Sequence, residues 1–214
     1  MGRPEPTEEE RDARRTALLD AAVGAIRAHG PGVSMEDLAK AAGVTKPILY
    51  RHFGHRDGMT TALATRFALG LEATLQAAMV GGNAPRETLE KTIDAYLEFV
   101  ERDPEVYHFL VRRLMANEQT PGAPAELTVG NFLRQVSAQV ALVLGEQLRT
   151  AGVDSGGAEP LAHGIVGMVH AAGDWWLERQ VMPRARLVEY IVGLLWGGFV
   201  GIGLGPANRG EAQI

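Results

Sequence analysis

Apolar residues recur at the spacing of an α-helix along almost the whole chain, and nowhere do they alternate over a length typical of a β-strand. The clearest stripe, at positions i, i+3, i+4 and i+7, is formed by Leu19, Ala22, Val23 and Ile26. Glycine and proline interrupt the pattern at intervals and divide it into separate helices. The sequence therefore predicts an all-α protein of about nine helices.

The interruptions place the helices at about 7–28, 34–43, 45–53, 56–80, 85–102, 104–116, 125–151, 159–180 and 184–203. Ser34 and Asp37 have the spacing of a capping box, and Thr45 is positioned to cap the third helix. Pro47 is tolerated in the first turn of that helix, and Gly43 suits a turn that needs a positive φ. The run 81–83, Gly-Gly-Asn, is the clearest linker.

Composition excludes several classes of protein. The 214 residues contain no cysteine, which rules out disulfides, thiolate catalysis and cysteine-based zinc sites. The polar N-terminus has no apolar core of a secretory signal. The most apolar stretch, 187–204, is interrupted by Glu189, and the 15 uninterrupted residues that follow are fewer than the about 20 that a membrane span needs. We expect a cytoplasmic protein with no membrane partner.

The net charge of −5 conceals a local positive patch. The first 60 residues carry nine basic and nine acidic residues, so the acidic excess lies in the rest of the chain. The window 46–56 contains Lys46, Arg51 and Arg56 with two histidines and no acidic residue. A nucleic-acid contact in this window is compatible with an acidic protein.

The segment 34–56, SMEDLAKAAGVTKPILYRHFGHR, has the organisation of a helix-turn-helix. Leu49 and Phe53 are among the apolar residues expected to pack the two short helices together. The other face of the third helix carries Thr45, Lys46 and Arg51 near a helix N-terminus, where phosphate groups bind favourably. This arrangement predicts a DNA-reading helix.

The run GVTKPILYRHF at 43–53 resembles the recognition-helix signature of the tetracycline-repressor (TetR) family. Arg56 stands where that family usually has a lysine. The resemblance implies that Lys46, Pro47 and Ile48 approach base edges of operator DNA, and that the remaining motif residues anchor phosphates. These anchors are Ser34, Thr45, Tyr50, Arg51, His52 and Arg56. Ile48 departs from the small or polar residue often found there, which leaves the DNA sequence that is read open.

The resemblance also implies a division of the chain and a homodimer. The DNA-binding domain would comprise residues 1–56, the ligand-binding and dimerisation domain 57–205, and a flexible tail 206–214. The last two helices carry small residues, which permit the close approach of another helix, and large apolar residues, which supply buried area at an interface. We expect the interface to include Gly164, Gly167, Ala171, Leu195, Trp196 and Phe199. An intramolecular core is the alternative for these residues.

Short stretches in the C-terminal half, such as 165–168 and 195–198, are similar to TetR regulators that sense fatty acyl ligands. They suggest a small hydrophobic effector, such as a fatty acid or acyl-CoA. The candidate pocket residues are aromatic, Met, Leu or His side chains in the middle and last helices. They are Phe99, Tyr107, Phe109, Leu110, Met115, Phe132, Met168, His170, Trp175 and Trp176. Such residues are also common in an ordinary core.

Two other functions are alternatives to a ligand-responsive repressor. An enzyme is disfavoured because the six histidines lack metal-ligand spacing and no nucleophile motif or phosphate loop is present. We expect no cofactor and no metal. An architectural DNA-binding protein is disfavoured because it would not need a body of this length. Arg3, Arg11, Arg14 and Arg15 could place an N-terminal arm on DNA, although nearby glutamates equally suit a solvated surface.

Overall fold

The computed structural model of the chain describes residues 7–54, 56–80, 84–118 and 129–204, with the side chains of all of these except 56, 114–118 and 129. Within these ranges the chain forms nine α-helices, one short 3-10 turn at Ser155–Gly157 and no strand, which confirms the all-α prediction. The helices are α1 (Glu8–His29), α2 (Met35–Ala41), α3 (Lys46–Phe53), α4 (Arg56–Met79), α5 (Pro85–Arg102), α6 (Pro104–Glu118), α7 (Val129–Thr150), α8 (Ala158–Arg179) and α9 (Arg184–Gly201).

Local capping interactions explain where the first helices begin and end. Thr7 and Glu10 form a capping box at the start of α1, and Gly30 ends this helix with a φ of 79°. Ser34 and Asp37 form the predicted capping box of α2. Gly43 follows with a φ of 64°, which confirms that the turn before α3 needs a residue free to adopt a positive φ.

The chain divides into two compact units. The first, which we call the head unit, comprises Met1–Glu72 and Arg102–Leu127. Its core joins apolar residues of α1 to α4 with Val106, Phe109 and Leu110 of α6. Arg27 of α1 also makes a bidentate ion pair with Asp103, with distances of 2.6 Å from Nε and 2.8 Å from Nη2 to the carboxylate oxygens. α6 is therefore an integral part of the head unit.

The second unit, which we call the body unit, comprises Ala73–Glu101 and Thr128–Ile214. In it α7 packs against α8, and Leu144, Leu148 and Ala158 form a buried cluster. Arg184, at the start of α9, ties this helix to α5 through two ion pairs. Its Nε lies 2.8 Å from Asp94 Oδ1 and its Nη1 lies 2.6 Å from Glu101 Oε2.

The compact units do not follow the predicted division into 1–56 and 57–205, because the head unit takes in most of α4 and all of α6. The functional division stays a prediction, and residue 205 and the tail 206–214 lie outside the described residues. The predicted start of the seventh helix at 125 also lies outside them. No helix in the described part of the chain is long and apolar enough to cross a membrane.

Candidate nucleic-acid interface

The turn between α2 and α3 holds the two short helices in the helix-turn-helix arrangement. The backbone N–H of Gly43 donates to the carbonyl of Lys40 at 3.1 Å, and that of Val44 donates to the carbonyl of Ala39 at 3.0 Å. Ala39 is buried and has no bulk beyond Cβ, so the chain can reverse close to α2. The turn therefore fixes where α3 begins.

The start of α3 differs from the prediction in one respect. Thr45 occupies the N-cap position with an extended backbone, but its hydroxyl makes no capping hydrogen bond. Pro47 has no N–H to offer, and the N–H of Ile48 donates to the Thr45 carbonyl at 2.9 Å. Thr45 therefore occupies the N-cap position as predicted, but its side chain does not bond the helix backbone, and its exposed hydroxyl is left for other contacts.

α3 presents a buried face to the core and a polar face to the surface. Leu49 and Phe53 lie in the core of the head unit, which confirms the prediction for both residues. Lys46 and Arg51 are exposed, and the Lys46 ammonium lies 5.7 Å from the centre of the Tyr50 ring. The remaining predicted contacts on this helix are exposed or partly exposed: Thr45, Pro47, Ile48, Tyr50 and His52. The structure thus brings all the predicted α3 residues onto one accessible surface.

Ser34 also lies on the surface, but its hydroxyl is engaged locally. It donates to Asp37 Oδ2 at 2.5 Å and accepts from the Asp37 N–H at 3.2 Å. These side-chain and backbone hydrogen bonds from Ser34 lower the pKa of Asp37 and keep its carboxylate charged. A phosphate contact by Ser34 would require the hydroxyl to leave this carboxylate.

His52 is the least accessible of the predicted contacts. Its Nε2 is buried and makes no hydrogen bond with any described residue. Burial lowers the pKa of His52, and the positive charges of Arg14, Arg51 and Arg15 lower it further. His52 is therefore neutral at neutral pH, and a phosphate contact through Nε2 requires a different rotamer.

Two groups of predicted residues fall outside the described residues. The side chain of Arg56 is not among those described, although its backbone begins α4, and the same holds for Met115 in α6. Arg3 lies before the first described residue. Their proposed contacts stay predictions.

The candidate pocket residues are distributed over both units. In the head unit, Phe109 and Leu110 are part of the core around α1, and the Tyr107 ring packs against Phe67 with centroids 6.3 Å apart. The structure therefore accounts for these three residues as packing residues. Their role in a ligand site stays a prediction.

In the body unit, the two adjacent tryptophans have different surroundings. Trp176 is 1% exposed, and its Nε1 donates to the Met182 carbonyl at 2.7 Å. Trp175 is 45% exposed in the single chain. Phe99 is buried, and Phe132, Met168 and His170 are partly exposed.

The body unit also contains a polar pair that the sequence did not reveal. The Tyr96 hydroxyl lies 3.4 Å from Nδ1 of His170, which links α5 to α8. Burial lowers the pKa of His170, while the charge of Asp174 opposes this shift. Because Tyr96 is 74 residues from His170 in the chain, no local motif could have indicated the pair.

The predicted interface residues lie on the accessible surface of α8 and α9. Gly164, Gly167 and Ala171 are exposed, and a Cβ added at either glycine would have no neighbour within 4 Å. Leu195, Trp196 and Phe199 are partly exposed, and Phe199 also packs against the buried cluster of the body unit. The same surface carries two further large apolar side chains, Tyr190, 55% exposed, and Leu194, 67% exposed.

Comparison with known proteins identifies both parts of the chain. A family model described as "Bacterial regulatory proteins, tetR family" matches residues 18–63. A second, described as "Tetracyclin repressor-like, C-terminal domain", matches residues 72–203. The two matches cover the helix-turn-helix and most of the remaining chain.

The curated relatives are also described as HTH-type transcriptional regulators or activators. An uncharacterised HTH-type transcriptional regulator of Mycobacterium tuberculosis is 34% identical over 194 residues, which are 88% of this chain and 78% of that protein. The HTH-type transcriptional activator FasR of Mycolicibacterium smegmatis is 27% identical over 190 residues, covering 88% and 84% of the two chains.

Solved structures share the fold. A TetR-family transcriptional regulator of Pectobacterium atrosepticum gives a TM-score of 0.70 at 24% identity and covers 94% of this chain and 100% of its own. The regulator FadR of Bacillus subtilis, solved in complex with stearoyl-CoA, gives a TM-score of 0.64 at 17% identity, covering 86% and 98%. The matches to the two family models and to the Mycobacterium tuberculosis relative, together with the geometry of α2 and α3, show that the chain belongs to the TetR family of DNA-binding helix-turn-helix transcriptional regulators.

Proposed function

We propose that this protein is a homodimeric repressor that binds a palindromic operator through α3 and is released when a small hydrophobic effector binds the body unit. The observation that carries the proposal is the division of α3 into two faces. Leu49 and Phe53 are buried in the head core, whereas Lys46 in the first turn and Arg51 in the last turn are exposed. A helix built in this way can enter a major groove without disturbing its own core.

The exposed residues of α3 suit two kinds of contact. Lys46, Pro47 and Ile48 lie in the first turn, where a recognition helix meets base edges. A lysine ammonium can donate to a guanine edge, and an isoleucine side chain can contact a thymine methyl group. Arg51 and the Thr45 hydroxyl, which makes no capping hydrogen bond, can donate to phosphates. Such contacts orient the helix but carry no sequence information.

A dimer is supported by the exposed surface of α8 and α9. Large apolar side chains such as Leu194 and Tyr190 are more than half exposed there, beside glycines that leave room for a second helix. Exposed apolar surface of this kind typically marks an interface. Two heads held about 34–36 Å apart can enter successive major grooves, and a ligand that changes this spacing changes DNA affinity.

The effector class is suggested by the relatives. The FadR neighbour was solved with stearoyl-CoA, and a second FadR neighbour is described as a fatty acid degradation regulator. The helices of the body unit bury large apolar residues, including Leu97, Phe99 and Trp176. We therefore propose a long-chain acyl thioester as the effector. The function is non-enzymatic and is exercised on DNA in the bacterial cytoplasm.

Selection of DNA followed by ligand release tests this function. A duplex would first be selected from a random-sequence library by the full-length protein, and its Kd measured with and without stearoyl-CoA, using free coenzyme A as the control. Stearoyl-CoA is expected to weaken binding about 5–150-fold, and coenzyme A to have no effect. Lys46→Ala is expected to weaken binding by about 1–3 kcal/mol and to relax the preference at one base position.

Each part of the proposal can fail separately in this experiment. Failure to select any duplex would contradict operator binding. A selected duplex that stearoyl-CoA does not release would contradict the acyl effector, and tighter binding in its presence would contradict release as the regulatory response.

The dimer interface is tested by a matched pair of leucines. Leu194 of α9 and Leu142 of α7 are 67% and 68% exposed in the single chain. Leu194→Glu is expected to convert the dimer to a monomer, because a buried carboxylate without a partner costs several kcal/mol. Leu142→Glu is expected to leave the dimer intact. Native mass spectrometry measures both, and a Leu194→Glu variant that is still fully dimeric would place the interface elsewhere.

A further inference from the structure

The C-terminal end of α3 receives a contact from α1. α3 has only eight residues, and so short a helix is not stable without contacts from the rest of the fold. The carbonyl groups of its last turn have no partner within the helix. Whatever binds them helps to set the direction in which α3 points.

Arg15 of α1 contacts two consecutive residues at this end. Its Nη1 donates to the carbonyl oxygen of His52 at 3.3 Å, and its guanidinium carbon lies 4.9 Å from the centre of the Phe53 ring. The positive charge stands at the end of the helix where the backbone dipole favours it. A planar guanidinium can stack on a ring and donate to a carbonyl at the same time, which an ammonium group does less well.

We propose that Arg15 is a positioning residue for DNA recognition: it fixes the end of α3 through the His52 carbonyl and the Phe53 ring, and it does not itself bind DNA. The proposal rests on the proposed function of α3 as the reading helix. Base contacts require side chains held to within about 0.5 Å and 10–20°, so a loosened helix loses sequence preference before it loses attraction to phosphates.

The rival role for Arg15 is a direct phosphate contact from its position in α1, and salt dependence separates the two. Each phosphate contact contributes about 0.9 to the slope of log K against log salt concentration. A positioning residue contributes nothing to this slope. Arg14, which precedes Arg15 and is also exposed, makes no hydrogen bond or ion pair with any described residue and provides a control of equal charge.

The test uses the full-length protein, the duplex that the wild type selects from a random library, and a scrambled duplex of the same composition. Arg15→Gln is expected to lower affinity for the selected duplex about tenfold, with the salt slope unchanged and the scrambled duplex bound nearly as before. Arg15→Lys is expected to lower affinity for the selected duplex nearly as much as Arg15→Gln, because the charge of a lysine alone does not replace the planar guanidinium group. Arg14→Gln is expected to lower both affinities by a similar factor.

Hydrogen–deuterium exchange of the DNA-free protein gives a second readout that does not depend on DNA. Arg15→Lys and Arg15→Gln are expected to speed exchange in residues 50–54 while leaving α2 unchanged. If Arg15→Gln proves too unstable, Arg15→Lys carries both measurements. A salt slope reduced by about 0.9 per subunit, an unchanged preference for the selected duplex, or unchanged exchange at 50–54 would each overturn the proposal. Failure of the wild type to select a duplex would instead refute the proposed function, and the exchange experiment would still test the contact.

Discussion

Replacing Gly58 by alanine is expected to destabilise the protein by about 2–3 kcal/mol and to weaken operator binding with it. Gly58 lies in the first turn of α4, directly after α3. A Cβ at this position would overlap the carbonyl oxygen of Phe53 and would stand 3.0 Å from its carbonyl carbon. Both are backbone atoms that cannot rotate away, so the end of α3 and the start of α4 would have to separate.

Gly24 provides the control for Gly58→Ala. It lies within α1 in the same unit, it is exposed, and a Cβ there would have no neighbour within 4 Å. Gly24→Ala is expected to stabilise the protein by about 0.5–1 kcal/mol, because alanine loses less conformational freedom in a helix. Urea denaturation of the wild type and both variants measures the difference. Equal midpoints for the two variants would show that the contact between Gly58 and Phe53 is not tight in solution.

Trp176→Ala is expected to cost about 3–5 kcal/mol of folding free energy, the range typical of a buried tryptophan. The indole is 1% exposed and donates to the Met182 carbonyl at 2.7 Å, so the substitution removes both packing and a hydrogen bond. Trp176→Phe keeps most of the apolar area but leaves this carbonyl without its donor. Its expected cost is about 1–3 kcal/mol.

Trp175→Phe is the matched control, because Trp175, the neighbour of Trp176 in sequence, is 45% exposed in the single chain. In a protein diluted to the monomer, this substitution is expected to change the unfolding free energy by about 0.5 kcal/mol or less. Urea denaturation followed by far-UV circular dichroism measures all three variants. A cost below about 1 kcal/mol for Trp176→Ala would show that the indole is not closely packed in solution, which is what a residue lining an open pocket would give.

Features set by local sequence could be predicted from the chain alone. The capping box at Ser34 and Asp37, the positive φ at Gly43 and the buried face of α3 all depend on residues close together in sequence. The same is true of the recognition-helix signature. These features are enough to indicate the family, because the family signature itself lies within one short segment.

Features that depend on long-range contacts could not be predicted. The ion pairs of Arg184 with Asp94 and Glu101 join residues 90 and 83 positions apart. The contact of Arg15 with His52 spans 37 positions. Helical spacing identifies which face of a helix is apolar but not which other helix covers it. For that reason the sequence did not distinguish the environments of the two adjacent tryptophans.

Because α6 is part of the head core, the domains of such regulators cannot be exchanged freely between proteins. A chimaera that joins residues 1–56 of this chain to the body of another regulator would leave behind Val106, Phe109 and Leu110, as well as Asp103, the ionic partner of Arg27. The core residues of the transplanted head would then have to pack against the α6 of the other regulator. Recombination between regulators of this family is therefore constrained by the compatibility of α1 with α6. Transfer of DNA specificity is better achieved by exchanging the exposed residues of α3 within an intact head.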